Sequence, residues 1–238
     1  MIDKLPDRTR PYPQGVGDRR RVLRWWVKDY AFAAHWQIQS FLGPRNGEKF
    51  RTGTARPVLM LPGIWETWGF LRPLIEPLHA AGHPVHVLPA LRRNGRPVAD
   101  TARLVAGYLD EHDLRDVVIV AHSKGGLIGK YLMTELDPQQ RVHSMVALAT
   151  PFAGSIYARF MLSPSLRSFS PTDPTTLHLQ KIIDVNSRIT SISGVFDPHI
   201  PGLWELEGGT NHTIDTGGHF RVIGQPETIR LVVEAAAA

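Results

Sequence analysis

Cysteine is absent from the 238 residues, and long apolar runs are absent as well. Without cysteine the chain has no disulfide and no thiolate chemistry, so other side chains must supply any nucleophile. No stretch reaches the roughly eighteen uncharged apolar residues of a membrane span, and no short apolar segment precedes a small-residue cleavage site. We therefore expect a cytoplasmic protein; secretion of a processed form is the alternative.

Positive charge is concentrated at the N-terminus. Residues 1–56 contain twelve Lys and Arg against five Asp and Glu, a net charge of +7 in a chain whose overall charge is +5. Within them "RRRVLRWWVKDYAFAAHWQIQSFLG" has apolar residues three and four positions apart, which predicts a helix ending at Gly43-Pro44. A basic, tryptophan-rich helix is typical of peripheral membrane contact, here through residues 19–42, or of an extra helix packed on the domain.

Strands and helices alternate from residue 57 onward. Apolar runs predict strands at 57–63, 84–90, 116–121, 142–150, 189–197 and 211–215. Helical spacing predicts helices at 67–82, 98–114, 125–136 and 226–234. This alternation predicts an α/β fold with a mostly parallel central sheet and helices on both faces. We expect one domain over 57–238 and a basic extension over 1–56.

One serine occupies a distinctive position in "DVVIVAHSKGG", residues 116–126. Ser123 follows an apolar strand and precedes a helix, and the small neighbours Ala121, Gly125 and Gly126 allow the backbone to turn sharply between the two. Ligands of open parallel sheets bind beyond the carboxyl ends of the strands, where this serine lies. The pattern therefore indicates a hydroxyl group presented for attack on a carbonyl carbon.

The segment "AHSKG" resembles the nucleophile elbow G-x-S-x-G of the α/β-hydrolases, with alanine in place of the first glycine, as in the small bacterial lipases. The resemblance covers most of residues 57–225 and implies a minimal lid. In this family the order along the chain is serine, acid, histidine, which points to Asp197 in "FDPHIP" and His219 in "DTGGHF". Ser123 would be the nucleophile, His219 the general base and acid, and Asp197 the orienting acid.

The resemblance also implies an oxyanion hole made of two backbone N–H groups. One belongs to Lys124, the residue after the nucleophile. The other belongs to Ile64, because the "PG" of "LPGIWETWG" resembles the "HG" dipeptide that follows the first strand in this family. Side chains that we expect to contact the substrate are Trp65, Trp68, Phe152, Ile156 and Phe160, with core packing as an equal alternative.

Other histidines and acids compete for these roles. His199 is only two residues from Asp197, which makes it hard to place its ring between that acid and the serine. Asp215 is a rival for the acid role, and comparing Asp197→Asn with Asp215→Asn would test which aspartate acts. His122 and His212 are further histidines near the predicted strand ends. His79, His83 and His86 invite a metal site, but Gly82 and Pro84 break the helical face, so no metal is expected.

The sequence therefore predicts a serine hydrolase that cleaves carboxylic esters, an esterase or minimal lipase, with a small-molecule ester substrate and no cofactor. One alternative keeps the same three residues for thioester or amide hydrolysis, acyl transfer or perhydrolysis. Another is a non-catalytic protein that docks through the basic helix; no nucleic-acid partner is expected. The sequence does not indicate an oligomeric state.

Overall fold

The computed structural model describes residues 18–43, 46–158, 166, 169–200 and 205–238. Six parallel strands form one sheet in the spatial order β2-β1-β3-β4-β5-β6. The strands are β1 (Val58–Leu61), β2 (Val85–His86), β3 (Val117–His122), β4 (Val142–Leu148), β5 (Ile189–Phe196) and β6 (Thr210–Gly217). The predicted α/β fold class is confirmed, and every strand pair in the described sheet is parallel.

Helices cover both faces of this sheet. They are α1 (Arg19–Leu42), α2 (Arg72–Ala80), α3 (Val98–Glu111), α4 (Lys124–Tyr131), α5 (Pro174–Lys181) and α6 (Pro226–Ala237). Short 3-10 turns lie at Glu48–Phe50, Trp68–Leu71, Pro89–Leu91, Asp184–Arg188 and Arg221–Gly224, and α4 runs on into a π-helical turn at Leu132–Leu136. Strands buried on both faces read as continuous apolar runs, which is why β1 and β3 stand out in the sequence.

Two apolar clusters fill the spaces between the sheet and the helices. One lies under α3, α4 and α5 and contains Leu109, Leu127 and Leu179. The other lies under α2 and α6 and contains Leu78 and Val232. Burial of this apolar surface is the main driving force for the fold.

Several predicted boundaries were wrong, each for a local reason. The predicted strand 84–90 is reduced to Val85–His86, because Pro89 lacks an N–H group and begins a 3-10 turn at the sheet edge. The predicted helix 67–82 opens with the 3-10 turn Trp68–Leu71 before α2 begins. The predicted helix 98–114 ends at Glu111, after which the backbone of Asp113 is left-handed, with φ of 43°.

Helix α1 packs on the core cluster that also lies under α2 and α6. Its Trp25 ring stacks on Phe196 at the end of β5, with ring centroids 5.8 Å apart, and Phe32 contacts Phe70 edge to face. The packing interpretation of this helix is therefore correct for its inner face. The division of the chain at residue 56 stays a prediction, and the expectation of a minimal lid depends in part on residues 159–165 and 167–168, which lie outside the described residues.

Candidate active site

The turn after β3 holds Ser123 in a conformation that few residues adopt. Its backbone has φ of 52° and ψ of −119°, a left-handed geometry that is strained for any residue other than glycine. The Ser123 N–H donates to the carbonyl oxygen of Leu148 on β4, at 2.8 Å. At Gly125 an added Cβ would lie 2.1 Å from the carbonyl oxygen of Leu61, so this position has no room for a side chain. The turn is thus fixed against the two strands on either side of it.

Three side chains from separate strand ends form one hydrogen-bonded chain. The Ser123 Oγ lies 2.9 Å from His219 Nε2, and His219 Nδ1 lies 2.7 Å from Asp197 Oδ2. The other Asp197 oxygen accepts the N–H groups of His199 at 2.8 Å and Ile200 at 3.1 Å. Asp197 therefore stabilises the turn around Pro198 through one oxygen and hydrogen-bonds to His219 through the other.

Burial and charge act against each other within this chain. Burial lowers the pKa of His219, but the charge of Asp197 and their hydrogen bond outweigh burial, and the pKa is raised above its ordinary value. Burial raises the pKa of Asp197, but the charge and hydrogen bond of His219 outweigh it and the pKa is lowered. A carboxylate thus lies beside an imidazole ring that readily takes up a proton.

The loop that carries His219 is held by an aspartate from α1. Asp29 is fully buried, and its two oxygens accept the backbone N–H groups of His219, Phe220 and Arg221 at 3.0, 2.8 and 2.7 Å. Burial raises the pKa of Asp29, and the three N–H donors work against that shift. Gly218, with φ of 120°, lets the loop pass close to this carboxylate. The N-terminal helix therefore builds part of the site.

A second buried pair joins the histidine loop to the loop after β1. His122 is fully buried, with Nε2 3.1 Å from the carbonyl oxygen of His219 and Nδ1 3.0 Å from Glu66 Oε2. A carbonyl oxygen only accepts, so Nε2 donates to it, and Nδ1 forms its hydrogen bond with the Glu66 carboxyl group. The same Glu66 oxygen accepts the N–H of Gly63 at 2.7 Å. The Glu66 carboxyl group thus positions both Gly63, the residue before Ile64, and His122, which hydrogen-bonds to the His219 backbone.

His199, a rival histidine in the sequence, lies beside His219 without replacing it. Their ring centroids are 4.9 Å apart, and His199 Nε2 lies 3.2 Å from the hydroxyl of Tyr30. Burial, followed by the charge of His219, lowers the pKa of His199 to about 4. This ring is therefore neutral at neutral pH and adds no positive charge next to His219.

Of the two predicted oxyanion-hole residues, Ile64 lies in the loop after β1 and Lys124 directly follows Ser123. Lys124 is the first residue of α4, and its Nζ donates to the carbonyl oxygens of Asn94, at 2.7 Å, and Arg96. Burial lowers its pKa to about 8. Ile64 is partly buried and precedes Trp65, whose φ is 61°. Within the described residues, no protein acceptor takes a hydrogen bond from the backbone N–H of Ile64 or Lys124.

The predicted substrate contacts separate into exposed and buried groups. Trp65 and Ile156 are about half exposed, and the backbone of Trp65 is tied to α1 by a hydrogen bond from Gln37. Trp68 and Phe152 are buried in the two core clusters, in line with the packing alternative. Phe160 lies outside the described residues.

The remaining rival residues have other partners. Asp215 is exposed and pairs with Arg21 at 2.8 Å. His83 and His86 contact the carbonyl oxygen of Arg56 and the hydroxyl of Tyr108, respectively. In the part of the chain that the structure describes, no three His, Asp or Glu side chains come together as a metal-binding cluster.

Three residues of this site were missed from the sequence: Asp29, Glu66 and the role of His122. Asp29 is the only acid in α1 and lies four residues after the buried Trp25, on the inner face of the helix. A lone acid on an apolar helix face that is not a membrane span indicates a buried partner, and that signal was available. Glu66 carries no such signal. One of its partners, His122, is 56 residues away, and the other is the backbone N–H of Gly63 in the local turn.

Neither a protein-family model nor a curated protein sequence matches the chain. Its structure, in contrast, is similar to several solved ones. An α/β-hydrolase from a Paenibacillus species is 17% identical, with a TM-score of 0.54 over 77% of this chain and 99% of that one. A monoacylglycerol lipase from Paleococcus ferrophilus is 16% identical, with a TM-score of 0.57 over 77% and 96%. A lipase from Bacillus licheniformis is 15% identical, with a TM-score of 0.62 over 82% and 96%. The chain therefore has the α/β-hydrolase fold.

Proposed function

We propose that the protein is a serine hydrolase that cleaves carboxylic esters through an acyl-enzyme intermediate. The observation that carries the proposal is the hydrogen-bonded chain from Ser123 Oγ through His219 to Asp197, with distances of 2.9 and 2.7 Å. Serine is a weak nucleophile near neutral pH and needs a base within this reach. The lipases that share the fold support an ester as the substrate class.

In the acylation step, Ser123 Oγ attacks the ester carbonyl carbon while His219 Nε2 takes the hydroxyl proton. Asp197 holds the Nδ1 hydrogen of His219 and stabilises the imidazolium that forms. The tetrahedral intermediate then expels the alcohol oxygen, which leaves with the proton from Nε2. Water, deprotonated by the same nitrogen, attacks the acyl-enzyme, and the acid product leaves as Ser123 regains its proton.

The negative charge that develops on the carbonyl oxygen requires two aimed donors. We assign them to the N–H groups of Ile64, in the loop after β1, and of Lys124, which directly follows Ser123. The positive end of the α4 dipole acts at the same place. Loss of a single donor of this kind costs roughly 10²–10³ in kcat in other serine hydrolases.

The test is hydrolysis of p-nitrophenyl esters of increasing acyl length, followed by mass spectrometry after treatment with a fluorophosphonate probe. We expect turnover and one adduct on Ser123. Ser123→Ala should abolish both, with a loss on the order of 10⁶ in kcat. The control is Ser187→Ala, which removes an exposed hydroxyl outside the site and should leave both signals intact.

Two other results would redirect the proposal. An adduct on Ser123 without ester turnover indicates that the same nucleophile serves thioester, amide or acyl-transfer chemistry. A folded protein with neither turnover nor adduct contradicts the assignment of Ser123 as a nucleophile.

A further inference from the structure

Helix α1 has a second apolar face, on the side opposite to Trp25 and Asp29. We call it the outer face and define it by the exposed side chains Leu23, Trp26, Val27, Tyr30, Ile38, Phe41 and Leu42. Its members form two groups, at residues 23–30 and 38–42, whose intervals of one and three residues keep them on one side of the helix. The outer face runs for about 30 Å along α1, at 1.5 Å per residue. Single exposed apolar residues are ordinary, but several on one side of a helix indicate a surface that contacts something.

The exposure of these side chains is large. Phe41 is 80% exposed, Leu42 74%, Leu23 65% and Val27 62%. Elsewhere among the described residues, no large apolar side chain is more than 51% exposed, and the exposed ones occur singly or, at Ile156 and Tyr157, as one adjacent pair. The inner face of α1 packs on the core, and on the outer face Tyr30 also contacts His199 and Phe220.

The exposed charges within α1 are all positive. The side chains of Arg19, Arg20, Arg24 and Lys28 have no carboxylate partner among the described residues, and Arg21 pairs with Asp215. At the N-terminal end of the helix, the Asp18 carboxylate accepts the backbone N–H of Arg20. The only acid within α1 is the buried Asp29. Arg24 and Lys28 each follow an outer-face residue by one position, which places them about 100° around the helix and beside the stripe.

We infer that the outer face of α1 docks on an anionic lipid surface. Apolar side chains with tryptophan and tyrosine, flanked by Arg and Lys, are the composition that binds a helix in the plane of a lipid–water interface. Anionic headgroups complement Arg19, Arg20, Arg24 and Lys28. A second copy fits less well, because pairing two outer faces would bring these cations together without a counter-charge.

The position of α1 gives the docking a consequence for the site. The same helix holds the His219 loop through Asp29, and Tyr30 of the outer face contacts His199. A protein docked through this helix therefore contacts the lipid through the same element that positions the His219 loop. The inference goes beyond the proposed function and does not depend on it, since binding can be measured without turnover.

The experiment is sedimentation of the intact chain with vesicles of phosphatidylglycerol and, separately, of phosphatidylcholine. We expect binding to phosphatidylglycerol that weakens with added salt, and weaker binding to phosphatidylcholine. The double variant Val27→Glu with Phe41→Glu should reduce the partition coefficient at least tenfold on both lipids. Arg24→Glu with Lys28→Glu should reduce it on phosphatidylglycerol only.

Matched controls separate docking from general stickiness. Leu177→Glu removes an exposed leucine on α5 and should bind as the unmodified chain does, and thermal unfolding midpoints check that every variant is folded. Ser123→Ala should also bind the vesicles normally, so the vesicle-binding result can be interpreted even if the hydrolase proposal fails. The inference is wrong if the intact chain does not bind phosphatidylglycerol, or if the Val27 and Phe41 changes leave binding intact. It is also wrong if these two changes instead dissociate a dimer seen by light scattering.

Discussion

The serine turn and the histidine loop each contain two adjacent glycines, but the two pairs make room for different parts of the chain. An added Cβ at Gly125 would meet the Leu61 carbonyl oxygen, and one at Gly126 would meet Thr150, both at strand ends of the sheet. Added Cβ atoms at Gly217 and Gly218 would instead meet Trp25 and Asp29 of α1. Ser123 is thus supported by the sheet, and His219 is supported by a helix outside the alternating strand and helix pattern.

This difference shows that the basic N-terminal segment belongs to the architecture of the site. Asp29 is 190 residues from His219 in the sequence, yet it accepts the N–H of His219 and of the next two residues. Loss of α1 would leave three backbone donors and the Trp25 contact surface without their partners. The position of the histidine loop should therefore be more sensitive than that of the serine turn to substitutions far from the site.

The largest effect is expected at the serine turn, from Gly125→Ala. The new Cβ would lie 2.1 Å from the backbone oxygen of Leu61, which cannot move without shifting β1. We expect a loss of more than about 3 kcal/mol in the free energy of unfolding, measured by urea denaturation, since overpacking a rigid core is costly.

The matched control is Gly107→Ala, in the middle of α3, where an added Cβ meets nothing within 4 Å. This variant should gain about 0.5–1 kcal/mol from the better helix propensity of alanine. Equal stability of the two variants would show that the serine turn is not tightly fixed against β1.

The next largest effect is expected at the histidine loop, from Asp29→Ala. Three buried N–H groups would lose their acceptor, and each such loss costs about 1–3 kcal/mol when no water replaces it. We expect a fall of about 10²-fold in kcat, because misplacing a catalytic group by 1 Å can cost that much. The measurement is kcat and KM on a soluble ester, alongside the unfolding midpoint.

Asp29→Asn keeps the volume and one acceptor oxygen, so its activity should lie between those of the alanine variant and the unmodified chain. Asp113→Asn, a change in an exposed ion pair with Arg115, should alter neither quantity. Full activity of Asp29→Ala would show that the histidine loop holds its position without α1.

A smaller effect is expected from Glu66. Its partner His122 precedes Ser123 and hydrogen-bonds to the backbone of His219, so Glu66 acts on both the serine turn and the histidine loop. Glu66→Ala removes the acceptor of the Gly63 N–H and the hydrogen-bond partner of His122. We expect a loss of roughly tenfold in kcat, below the 10²–10³ cost of deleting an oxyanion donor outright. Glu66→Gln keeps an acceptor for Gly63 and a hydrogen-bonding group beside His122, so it should restore most of the rate. Equal losses in both variants would mean that the charge, rather than the hydrogen bonds, matters.

The serine turn could be predicted from the sequence, whereas the support of the histidine loop could not. The serine turn was predictable because its strand, its glycines and its helix are contiguous in residues 116–136. Asp197 and His219 were predicted from the order serine, acid, histidine that the resemblance to the α/β-hydrolases implies, and their catalytic roles stay a prediction. The place of Asp29 on an apolar helix face indicated a buried partner, but which partner was not predictable, since the His219 loop lies 190 residues away. The partner of His122 was not predictable either, since it lies 97 residues away.

The smallest expected effect is the pH dependence of the unmodified chain. His219 must be neutral to accept the Ser123 proton, and its pKa is raised above the ordinary value near 6.5 because the charge and hydrogen bond of Asp197 outweigh burial. The rate should therefore fall as pH decreases through a value above 6.5, and the acid limb of kcat/KM reports this pKa in the free enzyme. Asp197→Asn removes the charge that opposes burial, so its residual activity should show an acid limb at lower pH. A limb that stays in place in Asp197→Asn would mean that Asp197 does not set the protonation of His219, even though the two side chains lie 2.7 Å apart.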